Sequence, residues 1–439
     1  MTASSNSSTG RISLLVFRGT FVLMLLALIW QTVRHLQGYA EGQYDYWYGC
    51  INEMLVNWEG GFVRRGLFGE LLYWARSVVT FPVDDAIVVA YYVGFAVLTA
   101  LLVRIFKKNG WSLFILPFPM CLYVYLCDPY FMIGRRDAWL LILAYVSFKL
   151  YHRYVESGGW YRLIACNMSL IVAILLHEAS FFFVFLIIFL HDFWHNIANG
   201  RRILAGSWHV FCHWLAIFFL LCIVVLCHGE DLLVREIWDS WRPYLGEAVT
   251  NELVKESYMS MTMNWSLWYC ITEIVWPNSW LSYFAWNLPT LPFNLYLFAC
   301  LYYLVTRFNT IDLGFYRLEK YDRVQISNIV LVQFICILPL LTLVFCDWGR
   351  ALPYWIISSM LFFHFFGKAE FAPPILSSLS VRLQGWIDKI PFLNTSWGYY
   401  ILIMTLPLGF MHATISGMFP IVPNEMKHLI IDYLTNMIR

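Results

Sequence analysis

The feature that most constrains this chain is a series of long apolar segments that recur along most of its length. About eleven of them reach the roughly 17–25 residues that an α-helix needs to cross a bilayer. They lie near 12–33, 86–106, 111–127, 137–154, 162–177, 179–195, 207–227, 288–307, 325–346, 352–367 and 398–418. Only 13% of the residues are charged, whereas soluble proteins carry about 25%. The sequence therefore predicts an all-α, polytopic membrane protein with about eleven transmembrane helices in a single domain, 1–439.

The apolar run at 160–194 is too long for one span. As a single helix it would measure about 52 Å at about 1.5 Å per residue, whereas the hydrocarbon core is about 30 Å thick. We therefore expect two short helices that meet at a hinge at His177-Glu178. The basic residues favour this hinge, because it leaves about 17 of the 29 on the cytoplasmic side when the N-terminus is cytoplasmic. A single span would leave about 14 inside and about 15 outside, and the bias would vanish.

This orientation places two large loops, approximately 34–85 and 228–286, on the outer (periplasmic) face. About 21 of the 28 acidic residues also fall there, although the rule that fixes orientation does not require it. We therefore expect the chemistry of the protein on that face. The first apolar run begins near Ile12 without a small-residue cleavage site, which predicts a retained helix rather than a signal peptide. The net charge of +1 gives no bulk attraction to nucleic acid.

Two Arg-Arg pairs stand out on the predicted outer face. Arg64 and Arg65 follow two glycines and precede an apolar, amphipathic stretch that begins at Leu67, and Arg135 and Arg136 precede the fourth span. The start of a helix offers free N–H groups and a positive dipole end, and Arg can bind phosphate oxygens in a bidentate fork. These pairs therefore fit a diphosphate. The competing interpretation is that each Arg pairs with a nearby acid, which would be Glu59, Glu70, Asp137 or Asp347.

Three residues are candidates for catalysis. His177 is the preferred general base because histidine titrates near neutral pH, and the alternative is a helix-end histidine that bonds to the backbone. Glu59 is the second candidate, although Asp45 and Glu53 share its loop and the sequence does not rank the three. Glu178 completes the set, but adjacent residues of a helix do not face each other, so it need not orient His177.

A fourth polar cluster on the outer face is Asp347-Trp348-Gly349-Arg350. Arg350 is a further candidate for diphosphate binding, and the alternative is a plain turn with an internal ion pair. The expected supporting residues are Asp137, Asp347, Trp58 and Trp348. The sequence has no HExxH motif, no Asp-x-Asp pair and no P-loop, so we expect neither a metal ion nor a cofactor.

The residues Gly134-Arg135-Arg136-Asp137, two helices joined by a basic cytoplasmic turn, and then His177-Glu178-Ala179-Ser180 form a pattern. This pattern resembles the Wzy/EpsG-type polysaccharide polymerases over roughly residues 85–290. The long outer loop at 228–286 also resembles that family and the related O-antigen ligases. The acids in the first outer loop are similar to those of membrane glycosyltransferases of the GT-C fold.

The resemblance implies a metal-independent transfer of glycan between undecaprenyl-diphosphate-linked saccharides at the bacterial inner membrane. Such a reaction builds O-antigen, capsule or exopolysaccharide. By position, Arg136 matches the arginine of the family and His177 its histidine. Asp137, which stands where glutamine is more usual, Arg135 and the Glu59, Arg64 and Arg65 cluster depart from the family pattern. These departures leave open a polymerase, a ligase or a separate transferase subfamily. The implied partners are a lipid-linked oligosaccharide, membrane lipid and, as a candidate, a chain-length regulator.

Two other function classes remain open. A transporter or flippase of a lipid-linked or anionic solute would use the same arginines, but it would also need charges deep in the spans, and the sequence shows few. A membrane O-acyltransferase would also need a histidine, although its acyl donor normally enters from the cytoplasmic side. A lateral groove at the outer leaflet would favour the transferase, and a central two-sided cavity would favour transport.

Overall fold

The computed structural model is helical throughout the part of the chain that it describes. That part comprises residues 48–108, 135–200, 202–227, 229, 231–246, 250, 291–307, 322–340, 348–367 and 374–406, with isolated positions between 15 and 41. No strand occurs among these residues. The helices are α1 (Tyr48–Leu55), α2 (Leu67–Val78), α3 (Val83–Lys108), α4 (Asp137–Ser157), α5 (Trp160–Leu176), α6 (Leu186–Ala198), α7 (Ile203–Leu226), α8 (Asp231–Leu245), α9 (Leu291–Arg307), α10 (Arg323–Pro339), α11 (Trp348–Phe366), α12 (Pro374–Asp388) and α13 (Ser396–Met404).

Three of the described helical segments are long and apolar enough to cross a membrane. They are Val83–Ile105, Phe181–Ala198 and Ala205–Leu226, and shorter apolar helices occur at Trp160–Leu176, Arg323–Pro339 and Ala351–Phe366. These lengths and compositions are those of a membrane protein. The predicted span at 111–127 lies outside the described residues, as do most of those at 12–33 and 398–418. The total of about eleven spans and their orientation therefore stay predictions.

The first predicted outer loop, 34–85, is more ordered than the word loop suggests. It contains α1 and α2, and α3 begins within it at Val83. The amphipathic stretch that the sequence marks from Leu67 is α2. The second predicted loop, 228–286, opens with α8, and most of its remainder lies outside the described residues.

The hinge predicted at His177-Glu178 is confirmed. Helix α5 ends at Leu176, and His177 follows in an extended conformation, so it lies outside both helices. Arg136 donates to the carbonyl of Leu176 at 2.8 Å, which places the start of α4 beside the end of α5. Near the other end of α4, the Tyr151 hydroxyl lies 2.9 Å from Nδ1 of His191 on α6. Helices α5 and α6 therefore run in opposite directions, as two separate spans require.

The chain after the hinge passes through a π-helical turn, Phe181–Phe185, before α6 begins. The ring of Phe183 stacks on that of Tyr354 from α11, with centroids 4.3 Å apart. The Phe183 carbonyl accepts a hydrogen bond from Nε2 of Gln333 on α10, at 2.6 Å. The turn therefore ties α6 to α10 and α11. Turns of this kind are rare and often occur at functional sites.

Several helix ends meet at the hinge. Helix α4 begins there, α5 ends there, and Tyr354 lies in the second turn of α11, where its hydroxyl donates to the buried Asp137 carboxylate. The loop between α1 and α2 reaches the same place through contacts of Arg65 with Glu178. We call this end of the bundle the hinge end, and the candidate site lies there.

Candidate functional site

The loop that carries Arg64 and Arg65 is held in place by its own residues. The indole Nε1 of Trp58 donates to the carbonyl of Val63 at 2.9 Å, and the Trp58 backbone N–H donates to Oε2 of Glu70 at 2.9 Å. A Cβ atom on Gly66 would lie 2.0 Å from the Trp58 indole nitrogen, so only glycine fits there. Trp58, which the sequence places among the supporting residues, is thus part of the framework of this loop.

The same loop is also docked onto neighbouring helices. The indole of Trp241 on α8 donates to the Leu55 carbonyl at 2.8 Å, and the Asn57 side chain donates to the Ser240 hydroxyl at 2.9 Å. Helix α2 packs so closely at Gly69 that an added Cβ would lie 2.1 Å from the backbone oxygen of Val56. Contacts with α8 and α2, together with those within the loop, therefore fix the position of the two arginines.

Arg65 reaches across the site to the hinge. Its Nε lies 3.1 and 2.9 Å from the two carboxylate oxygens of Glu178, and its Nη2 donates to the first of them as well. Nη1 of Arg64 lies 4.0 Å from the same Glu178 oxygen. Arg65 has a φ of +65°, a left-handed conformation that is unfavourable for a residue with a Cβ. The backbone carbonyl of Arg65 also accepts a hydrogen bond from Nη1 of Arg136.

His177 is held between two carboxylates. Its Nδ1 accepts the backbone N–H of Ala179 at 3.1 Å, so the neutral ring carries its proton on Nε2. That Nε2 lies 3.8 Å from Oε1 of Glu53, and Nδ1 lies 3.6 Å from Glu178. Burial, reinforced by the charge of Arg65, lowers the pKa of His177 from 6.5 to about 4. His177 is therefore neutral at neutral pH, and its protonated Nε2 has no hydrogen-bond partner among the described residues, although a Glu53 oxygen lies 3.8 Å away.

Glu53 is the residue of this site that the sequence did not single out. It is buried on α1, and its Oε1 lies 3.8 Å from His177 Nε2 and 3.9 Å from Arg65 Nη1. Burial raises the pKa of Glu53, but the charges of Arg135, Arg136, His177 and Arg65 together outweigh burial, so the pKa falls below 4.5. Glu53 is therefore an ionised carboxylate beside a neutral histidine.

Arg136 is buried with 1% of its surface exposed. Its Nη1 donates to the carbonyls of Leu176 and Arg65, while its Nε and Nη2 have no hydrogen-bond partner within the described part of the chain. Such orphaned donors on a buried cation are rare, because each leaves a desolvation cost unpaid. The next residue, Asp137, is also buried and accepts the Tyr354 hydroxyl.

The structure brings most of the predicted site residues together. We call the following set the arginine cluster: Arg64, Arg65, Arg135, Arg136, Glu53, His177 and Glu178. The alternative interpretation, in which each arginine pairs with an acid, holds for Arg65, but with other acids than those that the sequence offered. Arg65 contacts Glu178, 113 positions away, and Glu53. Glu70, which that interpretation offered, instead holds Trp58. With Asp137 included, four guanidinium groups face three carboxyl groups.

Other predicted residues lie elsewhere or outside the description. Glu59 is exposed, and its backbone N–H donates to the Asn57 side chain at 3.3 Å; among the described contacts, none joins it to the arginine cluster. The backbone of Arg350 lies in α11 one turn before Tyr354, and so at the hinge end. The side chains of Arg350 and Trp348, and Asp347 as a whole, lie outside the described residues. Within the described ranges, no three His, Cys, Asp or Glu side chains are placed to hold a metal ion.

This arrangement can hold an anion and can move a proton. The four arginines concentrate positive charge in a site that is mostly shielded from water, where such charge acts strongly on a phosphate. The Glu53–His177 contact offers a proton acceptor within the same space. The chain matches no model of a known protein family, no curated protein and no solved structure. The geometry of the arginine cluster therefore carries the functional conclusion.

Proposed function

We propose that this chain is a polytopic inner-membrane glycosyltransferase that joins undecaprenyl-diphosphate-linked oligosaccharides at the outer face of the membrane. Its product would be a surface polysaccharide, and the reaction would need no metal ion. One observation carries the proposal: arginines from two distant stretches, 64–65 and 135–136, converge with His177 at one end of the helix bundle.

The first step is recognition of the lipid diphosphate. Arg64 and Arg65 keep 13% and 17% of their side-chain surface exposed, so an anion can reach them. Arg136 is deeper and has N–H groups that no described residue satisfies. A diphosphate supplies oxygens at the spacing that guanidinium groups bind in pairs. We therefore place the leaving group of the donor between these three residues.

The second step is transfer of the glycan. An acceptor hydroxyl attacks C1 of the donor sugar, the new C1–O bond forms, and the bond from C1 to the diphosphate oxygen breaks. The leaving diphosphate takes the electron pair, and the positioned arginines stabilise the charge that develops on it. The proton of the hydroxyl passes to the ionised carboxylate of Glu53, because Nδ1 of His177 is bonded to the Ala179 N–H and its Nε2 already carries a proton. His177, which the sequence favours as the base, therefore acts beside the base rather than as the base. Burial raises the pKa of Glu178, but the charges of Arg65, His177 and Arg64 together hold it well below 4.5, so Glu178 is a weaker candidate for the base.

A transporter or flippase is the second candidate, and one observation bears on it. Asp192 is buried within Phe181–Ala198, a segment apolar enough to span a membrane, and intramembrane carboxylates often mark transport pathways. However, its Oδ2 accepts His213 Nδ1 at 3.0 Å and the Trp214 indole at 2.9 Å, and its Oδ1 accepts Asn196 at 3.1 Å. A carboxylate bonded in this way fits a structural role, so the transferase remains first. No contact of the described residues favours an O-acyltransferase.

The test is substitution of Arg64 with Ala in a cell that makes the polysaccharide. Arg64 suits this test because its contact with Glu178, at 4.0 Å, is looser than that of Arg65. We expect loss of polymer on gels and accumulation of the lipid-linked repeat, with unchanged amounts of protein in the membrane. The matched control is Arg242→Ala, which removes an exposed arginine whose carboxylate partner is Asp239 on the same helix.

A binding measurement separates substrate recognition from folding. The purified protein in nanodiscs is titrated with undecaprenyl diphosphate and with undecaprenyl monophosphate. We expect tighter binding of the diphosphate and at least about tenfold weaker binding by Arg64→Ala, which corresponds to about 1.4 kcal/mol. Arg64→Ala, Arg136→Ala and His177→Ala each change a residue of the arginine cluster on which the proposal rests. Normal polymer from cells that carry any one of these variants would contradict the proposal.

A further inference from the structure

Helix α2 has an apolar face that no described residue covers. Leu71, Trp74 and Val78 recur at positions i, i+3 and i+7, which lie on one side of a helix. Their exposed fractions are 56%, 66% and 67%, and Val79 beyond the end of the helix is equally exposed. We call these four residues the α2 stripe. In water, a contiguous set of large apolar side chains of this kind would be unfavourable.

The opposite face of α2 is fixed against the protein. Tyr73 packs edge-on against Trp241 and Tyr244 of α8, with ring centroids 5.4 and 5.6 Å away. The guanidinium group of Arg76 lies 4.9 Å from the centre of the Tyr244 ring. Helix α2 therefore cannot roll its apolar side inward, and the α2 stripe faces away from the bundle.

The α2 stripe lies beside a membrane-spanning helix. Helix α2 ends at Val78 and α3 begins at Val83, so only four residues separate them. Asp84 and Asp85 lie in the first turn of α3, which marks a polar boundary there. Further along α3, exposed valines at 89, 93 and 97 form the side that faces hydrocarbon in a spanning helix. The stripe is thus next to the point where the chain enters its span.

We propose that α2 lies in the membrane–water interface, with the α2 stripe immersed in the lipid leaflet nearer the arginine cluster. The occupant is phospholipid rather than a protein partner. Tryptophan is typical of this depth, and an apolar face opposite a packed polar one is typical of interfacial helices. Four side chains also cover only a fraction of the roughly 800 Å² that each partner buries in a stable interface. This proposal does not depend on the proposed function.

The immersed stripe determines the depth of the arginine cluster. Helix α2 begins at Leu67, directly after the loop that presents Arg64 and Arg65. A helix of this length that lies along the interface keeps its first turn at the level of the lipid headgroups. The two guanidinium groups therefore lie where the phosphates of membrane lipids lie. Any lipid with an anionic headgroup could reach them from within the leaflet.

The test is photo-cross-linking to lipid. The amino acid p-benzoylphenylalanine, which reacts with nearby C–H bonds, is placed at Leu71 or Trp74 in the full-length protein. The protein is reconstituted into nanodiscs of phosphatidylethanolamine and phosphatidylglycerol and irradiated. Its mass is then measured by intact-protein mass spectrometry. We expect an added phospholipid at both positions and little or none at Tyr73, the neighbouring position that faces α8. The added aromatic group is a mild change at Trp74, so folding should be kept.

A second pair of variants checks that immersion, and not simple proximity, causes the adduct. Trp74→Glu should reduce the lipid adduct at position 71 at least about fivefold, because a charge opposes immersion. Ser77→Glu, at an exposed polar position of the same helix, should leave it within about twofold. Three outcomes would each overturn the proposal. They are equal lipid adducts at positions 71 and 73, no adduct at positions 71 and 74, and a cross-linked dimer in place of the lipid adduct.

Discussion

Replacing Arg65 or Glu178 with alanine should each destabilise the folded protein by about 3 kcal/mol, the lower end of the range for a buried ion pair that loses one partner. The lower end applies because the two side chains keep 17% and 13% of their surface exposed. Each single change leaves the other charge without its bidentate partner, whereas the double change removes both charges. The loss of unfolding free energy in the double variant should therefore be smaller than the sum of the losses in the two single variants, by at least about 2 kcal/mol. Alanine is the right replacement at Arg65, because glycine would also relieve the left-handed φ of +65° and blur the comparison.

The assay is reversible unfolding in mixed detergent micelles, read by far-UV circular dichroism for the wild type, both single variants and the double variant. The matched control is the same cycle on Arg242 and Asp239, a pair one turn apart on α8 with 40% and 55% of their side-chain surface exposed. Exposed pairs contribute less than about 1 kcal/mol, so that cycle should show almost no coupling. Additivity within about 0.5 kcal/mol at positions 65 and 178 would refute the conclusion that this contact joins the first loop to the hinge.

Three further predictions concern the same end of the bundle. Folding lowers the pKa of His177 from 6.5 to about 4 and that of Glu178 well below 4.5, so the folded state binds fewer protons. The free energy of unfolding should be highest above pH 6.5 and should fall as the pH drops below 6.5. In His177→Gln, this fall should be smaller between pH 6.5 and 4. A wild-type unfolding midpoint that does not change with pH would contradict the prediction. Gly69→Ala should cost about 1–3 kcal/mol in unfolding experiments by pushing α2 off a backbone carbonyl, whereas Gly385→Ala, with open space around it, should not destabilise. Tyr354→Phe should lower stability by about 1–3 kcal/mol, because a buried carboxylate on α4 loses a donor, and an unchanged unfolding midpoint would speak against that bond.

The hinge shows what the sequence alone can establish. A run of about 35 apolar residues cannot be one span, and the basic residues choose the alternative, so the reversal at His177-Glu178 follows from length and charge. Helix α5 indeed ends at Leu176, one residue before the hinge. The two Arg-Arg pairs are equally visible, because an arginine beside an apolar segment needs a partner wherever it lies.

The partners within the site could not be predicted in the same way. Glu178 bonds an arginine 113 positions earlier, and Tyr354 bonds an aspartate 217 positions earlier. Separations of this kind leave no periodicity or motif in either segment. The sequence offers Glu53 as one of three unranked acids in its loop, and only the burial of Glu53 beside His177 distinguishes it from the exposed Glu59. Burial of a single polar residue depends on tertiary packing, which hydropathy does not contain.

The sequence predicts the first outer loop, 34–85, only by exclusion, as the stretch between two predicted spans. Its helices α1 and α2 are too short to register as spans, so hydropathy alone assigns them to a loop. The glycines of this stretch did carry a local signal. Gly66 and Gly69 permit approaches to Trp58 and Val56 that any side chain would prevent, so they indicate close packing rather than only flexibility.

The π-helical turn at Phe181–Phe185 makes the spacing between the hinge and α6 intolerant of length changes. A π turn holds one residue more than an α-helical turn, and each residue rotates a helix by about 100°. Deleting one of these five residues would convert the π turn into a regular α-helical turn. If α6 kept its packing, Glu178 would rotate about the helix axis by about a quarter turn or more, away from Arg65. Substitutions among the phenylalanines should therefore be tolerated in natural variants of this chain far better than any gain or loss of a residue there.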